Sequence, residues 1–167
     1  MTGNLSKSFS RLYLPPHCRY SHVDRIHPSG YIISVEQTKT ALIVIDGSDG
    51  VKKAAESLSA ALKGCNAKIC NAETFQGTDL LPAHVFFIGC DKPAPPSFTY
   101  LDEMLQHINL SGRSCGVFST DNKALNYLTK LVLACGASQA EPLLIKDISA
   151  ISTEIRNWVK TIPASNF

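Results

Sequence analysis

The stretch "ALIVIDGSDGVKKAAESLSAAL", residues 41–62, decides the fold class. Its first five residues are apolar without alternation, which is typical of a strand covered on both faces of a parallel sheet. A short turn of Gly, Ser and Asp follows. Beyond it, apolar residues recur at helical spacing on one face, namely Val51, Ala54, Ala55, Leu58 and Leu62. The stretch therefore predicts a strand, a tight turn and an amphipathic helix, which Gly64 ends.

The alternation of strand and helix continues along the chain. Further apolar runs predict strands at 67–70, 85–88, 115–118 and 143–145. Helical periodicity covers 100–108, 124–135 and 148–162, and "FQGTDLLP" leaves room for only a short helix between the second and third strands. Five strands alternating with helices predict a doubly wound α/β fold. Right-handed crossovers place the first strand in the centre of a five-stranded parallel sheet.

Residues 1–38 differ from the region that follows, and we interpret them as an N-terminal extension of a domain at 39–163. The extension is polar and interrupted by prolines, so we expect it to be partly irregular, with "YIISVE" at 31–36 as a candidate edge strand. It also carries a group of potential metal ligands: His17, Cys18, His22, Asp24 and His27. Because their spacing matches no zinc pattern, we expect a surface loop and no metal.

Composition excludes several classes of function. Of 167 residues, 44% are hydrophobic and 18% are charged, as in a globular domain, and the net charge of +2 indicates neither a nucleic-acid nor a membrane partner. No apolar run approaches the length of a membrane span. The six cysteines form no CxxC pair, which favours free thiols in a reducing cytoplasm. No Gly-x-Ser-x-Gly motif is present, and we predict no catalytic residues.

In a sheet of this kind, ligands bind at the carboxyl ends of the first, third and fourth strands, which are followed here by loops 46–50, 89–97 and 119–122. The first loop offers backbone amides at a helix start and the Ser48 hydroxyl, which together can hold an anion. Asp46 and Asp49 oppose a phosphate. The alternative is a plain strand-to-helix turn in which Asp49 is the N-cap.

The other two loops have similar pairs of interpretations. In "GCDKPAPPSFTY" the prolines stiffen the loop, so Phe98 and Tyr100 either stack on a planar ring or attach the loop to the core. In "STDNKALNYL" the polar side chains either bind a ligand or cap a helix, with Thr120 or Asp121 as its start.

Residues 40–162 resemble a flavodoxin-like domain. The resemblance is carried by "TALIVIDGSDGVKKAAESLSAAL", "HVFFIGCDKPAPPSFTYLDEML", "INLSGRSCGVFSTDNKALNYLTKLVLACGA" and "EIRNWVKTI". Within them, "LSGRSCGVFST" is similar to the Leu-x-Gly-Lys entry to the family's fourth strand, and "ACGA" and Trp158 occupy positions where flavodoxins have a Gly-Ala pair and a tryptophan. The resemblance implies the sheet order 2-1-3-4-5.

The resemblance also implies a cofactor, flavin mononucleotide (FMN), and electron transfer to a redox partner protein. Carried over by position, the implied FMN-binding residues are Ser48, Asp49, Gly50 and Val51 at the phosphate, and Cys90, Asp91, Phe98, Ser119, Thr120, Asp121 and Asn122 around the ring. The phosphate loop departs from the family pattern, because "GSDGV" is one residue shorter, keeps a single hydroxyl and adds an acid. In this interpretation the protein is an electron carrier and not a catalyst.

Two alternatives remain open. A flavodoxin-like domain without cofactor can serve as a protein-binding module, and the departures in the loops are compatible with that. A phosphoryl-accepting receiver module has the same topology, and its acids, hydroxyl and lysine would correspond to Asp46, Asp91, Thr120 and Lys146.

Overall fold

The computed structural model describes residues 39–147 and 149–162. The N-terminal extension, with its candidate strand at 31–36 and its histidines and Cys18, lies outside the described residues. In the part that is described, no helix has both the length and the apolar character needed to cross a membrane.

A parallel sheet forms the centre of the domain and confirms the predicted order. Its strands are β1 (Lys39–Ile45), β2 (Cys65–Asn71), β3 (Val85–Gly89), β4 (Ser114–Ser119), β5 (Ser138–Gln139) and β6 (Leu143–Leu144). They are arranged as β2-β1-β3-β4-β5, and β6 pairs with β4 next to β5. Every pair is parallel, so the connections must cross over the sheet faces.

Helices make these crossovers and cover both faces of the sheet. They are α1 (Asp49–Ala61), α2 (Gly77–Leu80), α3 (Thr99–His107), α4 (Asn122–Ala134) and α5 (Ile151–Val159). The predicted helices are thus confirmed, although α5 is shorter than the apolar periodicity over 148–162 suggested. A single 3₁₀ turn, Pro96–Phe98, leads into α3.

The last strand differs from the prediction, because it is broken into two short segments. β5 pairs with Ser114 and Cys115, whereas β6 pairs with Phe118 and Ser119 at the other end of β4. Pro142 stands just before β6 and has no N–H to donate to a ladder. The carbonyl of Glu141 instead accepts a hydrogen bond from the Trp158 indole at 2.6 Å. The predicted strand at 143–145 is therefore only the second half of an interrupted strand.

Alternate residues of each central strand enter two separate cores. On β1, Leu42 and Val44 pack against the side of the sheet that α3 and α4 cover. Ala41, Ile43 and Ile45 pack against the side that α1 and α5 cover. Since both faces are buried, the strands carry no polar alternation, which explains the continuous apolar runs in the sequence.

Two glycines in the sheet allow aromatic rings to approach the backbone. A Cβ atom at Gly116 would lie 2.7 Å from both the Phe87 and Trp158 rings, and one at Gly89 would lie 2.4 Å from the Phe118 ring. Trp158 packs edge-on against Phe87 and Phe118, with ring centroids 5.7 and 6.2 Å away. The absence of a side chain at these glycines therefore makes room for the aromatic cluster under α5.

Arg113 connects the entry of β4 to the end of α2 and the residues that follow it. Its guanidinium donates to the carbonyl oxygens of Leu80 at 2.5 Å, Ala83 at 3.2 Å and Leu81 at 3.3 Å. Gly112, just before it, has φ +86, which an L side chain rarely adopts. The Gly-Arg pair in "LSGRSCGVFST" is thereby explained by a left-handed turn and a three-carbonyl anchor.

We predict that Gly116→Ala lowers the free energy of unfolding by about 1–3 kcal/mol, because the added methyl group overpacks the aromatic cluster. Urea denaturation followed by circular dichroism measures the change. Gly47→Ala is the matched control: its Cβ would meet only the Asn71 amide at 3.7 Å, and Gly47 is not among the glycines with positive φ. Equal stability of the two variants would contradict the prediction.

We predict that Arg113→Lys also destabilises the fold, by about 1–3 kcal/mol, because an ammonium cannot reproduce the planar fork that serves three carbonyls. The control is Arg156→Lys on α5, where the guanidinium makes one exposed bond to the Ser152 carbonyl. The control is expected to stay within about 0.5 kcal/mol of the wild type. A similar urea midpoint for both variants would show that the anchor contributes nothing.

Candidate functional site

Three loops meet at the carboxyl edge of the sheet. β1, β3 and β4 are neighbours, with Ile45 paired to Gly89 and Gly89 paired to Phe118. The loops that leave these strands therefore start side by side. This is the edge at which open α/β sheets bind ligands.

The first loop has only three residues, 46–48, between β1 and α1. Ser48 is the N-cap residue, with φ −69 and ψ 146, but its side chain makes no capping hydrogen bond. Its hydroxyl oxygen is buried without a partner. The alternative of Asp49 as the N-cap is therefore wrong: Asp49 is the first residue of α1, and it is exposed.

The start of α1 presents backbone donors next to that hydroxyl. The first bond of the helix runs from the Lys52 N–H to the Ser48 carbonyl at 2.9 Å. The N–H groups of Asp49, Gly50 and Val51 precede it, and a helix supplies no acceptor for them. The predicted phosphate residues thus lie together, with Val51 contributing only its backbone, since its side chain is buried in the core.

Asp46 connects the first and second loops. Its carboxylate accepts hydrogen bonds from the Ser48 N–H at 3.4 Å and from the Asp91 N–H at 3.2 Å. Asp46 is buried, with only 7% of the residue exposed. Burial raises the pKa of Asp46, and the Asp91 carboxyl raises it further, whereas the backbone donors lower it. From the sequence this acid was interpreted as an obstacle to phosphate or as an acid of a receiver module. Its bridging position depends on the approach of two distant segments.

The second loop holds its apolar residues in the core. Phe98 is 1% exposed and packs with the α3 and α4 layer, so its ring is attached to the core and offers no face at the loop surface. Tyr100 is half exposed, but it packs against Phe75 at a centroid distance of 6.1 Å. Its hydroxyl accepts a bond from the Gly77 N–H at 3.3 Å. The Tyr100 side chain therefore packs toward Phe75 and the start of α2.

Cys90 follows β3 directly and is fully buried. Burial, then the nearby Asp46 carboxylate, raises the pKa of the Cys90 thiol to about 12, with smaller contributions from Asp91 and Asp121. The thiol is therefore neutral at physiological pH and behaves as a small apolar group. The five cysteines in the described region are all free, and the sixth, Cys18, lies outside it.

The third loop is organised as a helix cap. The Asp121 carboxylate accepts from the Ala124 N–H at 2.8 Å, which confirms Asp121 as the start of α4. The buried Ser119 hydroxyl accepts from the Asp121 N–H at 2.9 Å. Thr120 is half-buried and Asn122 is exposed, so these two side chains remain available at the edge of the sheet.

The two acids of the receiver interpretation, Asp46 and Asp91, lie in the first and second loops. Within 39–147 and 149–162, no group of three or more His, Cys, Asp or Glu side chains is arranged to hold a metal ion. Asp91 donates its backbone N–H to Asp46, and Lys146 is exposed.

Four surface pockets lie around α1, α3 and α5. One of about 480 Å³ lies between α1 and α5. Three others, of about 370, 280 and 430 Å³, surround α3 and share Glu103. Two of the pockets around α3 reach the second loop, one through Ala94 and Pro95 and the other through Pro96 and Ser97, and none of the four includes a residue of 46–50 or 119–122.

Comparison with known proteins identifies the fold. No protein-family model and no curated protein sequence matches the chain. Solved structures do match: a short-chain flavodoxin associated with a non-canonical PDU bacterial microcompartment has 18% identity and a TM-score of 0.63 over 74% of this chain and 98% of its own. Oxidised flavodoxin 2 from Bacillus cereus has 16% identity and a TM-score of 0.63 over 73% of this chain and 96% of its own.

A flavodoxin from Fusobacterium nucleatum, bound to flavin mononucleotide, has 13% identity and a TM-score of 0.59 over 73% of this chain and 95% of its own. These neighbours are aligned over nearly their whole length, and they have the sheet order found here. At such low identity, the likeness concerns the backbone. The chain has a flavodoxin-like fold.

Proposed function

We propose that the domain binds FMN noncovalently at the three-loop edge and acts as an electron carrier. The observation that supports this most directly is the buried Ser48 hydroxyl without a partner, next to the uncapped first turn of α1. A hydroxyl and three backbone amides at a helix N-terminus suit a phosphate group. The neighbour that carries flavin mononucleotide in the same fold adds support.

In this proposal the phosphate is held by the first turn of α1. The donors are the Ser48 hydroxyl and the N–H groups of Asp49, Gly50 and Val51. Gly47 keeps the approach open, since a Cβ there would have only the Asn71 amide within 4 Å, at 3.7 Å. These residues fit a phosphate.

The flavin ring of FMN would be held mainly without aromatic stacking. Phe98 is in the core, and the exposed residues of the second loop are Lys92, Pro93 and Ala94. Across the edge, Thr120 and Asn122 offer polar atoms. The prolines on either side of Ala94 limit the motion of this loop, which gives it a fixed shape against a planar ligand.

Bound FMN would supply the redox chemistry, and the protein would set its potential. Asp91 and Asp121 carry negative charge near the ring site and disfavour negative charge on the reduced flavin, which lowers the reduction potential. Cys90, being a neutral buried thiol, adds no charge. Transfer would occur to a redox partner protein, and the free cysteines favour a cytoplasmic location.

A second function, protein binding without a cofactor, is favoured by the surface around α3. Its three pockets are lined by Glu73, Asp102 and Glu103 and contain no Lys or Arg. Tyr100 is 51% exposed between two of them. Such a surface suits a basic partner with apolar side chains.

We predict that the purified protein, mixed with FMN and freed of excess, retains flavin absorption bands. Ser48→Ala should weaken FMN binding about ten- to a hundredfold, because it removes a hydrogen bond to a charged group. Fluorescence titration measures the affinity. Ser59→Ala, on the same helix but outside its first turn, is the control and should bind as the wild type does.

A protein that stays colourless after reconstitution would contradict FMN binding and leave the cofactor-free module as the function. Equal affinities of Ser48→Ala and the wild type would instead show that the phosphate lies away from α1.

We predict that Asp91→Asn raises the reduction potential of bound FMN by on the order of tens of millivolts, since it removes a negative charge near the ring. Potentiometric titration against dyes measures the shift. Glu141→Asn, an exposed acid after β5, is the control. If the potential of Asp91→Asn equals that of the wild type, the carboxylate does not act on the flavin.

A further inference from the structure

Asp46 occupies the position where the first loop would otherwise be open to an anion. Its two carboxylate oxygens accept from different loops, from the Ser48 N–H and from the Asp91 N–H. Its own N–H donates to the Gly89 carbonyl at 3.1 Å, which extends the contact between β1 and β3 by one residue. The carboxylate is therefore fixed in place two residues before the Ser48 hydroxyl.

Within the described residues, no cationic side chain forms an ion pair with Asp46. In the described region the one ion pair is Lys68–Asp79, on β2 and α2. The titratable groups that act on one another here are Asp46, Asp91, Asp121 and the Cys90 thiol. Along the two loops the nearest other charged residues, Asp49 and Lys92, are exposed, and the end of β2 contributes the neutral Asn71.

A phosphate at the start of α1 would thus be placed beside a buried carboxylate that, among the described residues, accepts from two backbone N–H groups. Two anions in one site repel each other, and a like charge disfavours the ionised form of a carboxyl group. Uptake of a proton by Asp46 removes the repulsion without moving either loop. Burial already raises the pKa of this group, so the protonation requires a smaller further change.

We propose that Asp46 takes up a proton when the phosphate of FMN binds at the start of α1. The inference rests on the proposed function. It adds proton uptake by the protein, which the phosphate site alone would not have. In this proposal Asp46 is ionised in the free protein and neutral in the complex. FMN binding therefore weakens as pH rises from the Asp46 pKa of the free protein toward its higher value in the complex, by up to about tenfold per pH unit. Riboflavin lacks the phosphate and should bind independently of Asp46.

The test is isothermal titration calorimetry of FMN and of riboflavin at pH 7.5, in two buffers of different ionisation enthalpy. The difference between buffers measures the protons taken up. We expect uptake with FMN in the wild type, little or none in Asp46→Asn, and none with riboflavin in either protein. Any proton uptake that persists when FMN binds to Asp46→Asn belongs to the phosphate itself, whose second pKa is about 6. We also expect Asp46→Asn to bind FMN about tenfold more tightly at this pH.

Glu56→Gln is the matched control, because it removes one exposed negative charge from α1 away from the loops. It should take up protons as the wild type does. If Asp46→Asn fails to fold, Asp91→Asn replaces it: the backbone donor to Asp46 stays, the neighbouring charge is gone, and proton uptake should decrease.

The outcomes separate the two proposals. Equal proton uptake by the wild type and Asp46→Asn, with FMN bound to both, overturns the role of Asp46 and leaves FMN binding intact. Failure of wild type and variant to bind either flavin overturns the proposed function, and the role of Asp46 falls with it.

Discussion

The parallel pairing of β1 with β3 is the contact on which the rest of the domain depends. It places two strands that are distant along the chain side by side, with both faces apolar, so helices must cover the sheet on both sides. It also fixes where the strands end. Ile45 and Gly89 lie opposite each other, and the residues that follow them, Asp46 and Cys90, begin the two loops of the candidate site. The strand register that aligns the core residues therefore also aligns the two loops of the candidate site.

Much of this architecture could be predicted from the sequence, because it follows from local patterns. Apolar runs without alternation identify buried parallel strands, and stripes at helical spacing identify the covering helices. The interruption between β5 and β6 was missed, because an apolar run does not show how Pro142 and the Trp158 indole rearrange the backbone around it. The predicted family resemblance and sheet order were confirmed.

The candidate site was predictable only as a set of loops. The sequence places Ser48, Cys90 and Thr120 after neighbouring strands, and the structure brings them to one edge. The role of a side chain within a loop depends on contacts from far along the chain. Phe98 belongs to the core and Asp46 reaches the Asp91 amide across 45 positions, and neither contact has a local signature. Asp121 was predictable as a cap because capping involves residues three apart.

The interrupted strand at one side of the sheet has a consequence for association between molecules. An uninterrupted outer strand presents a row of unpaired backbone groups to which another chain can add. Here β5 and β6 are two residues each and are separated by a segment that includes a proline, so that side presents no continuous row. At the opposite side of the described sheet, β2 is seven residues long, and Lys68 projects from it to form an ion pair with Asp79. A charged side chain on an outer strand disfavours the flat stacking that aggregation requires, so both margins of this sheet resist unwanted strand addition by different means.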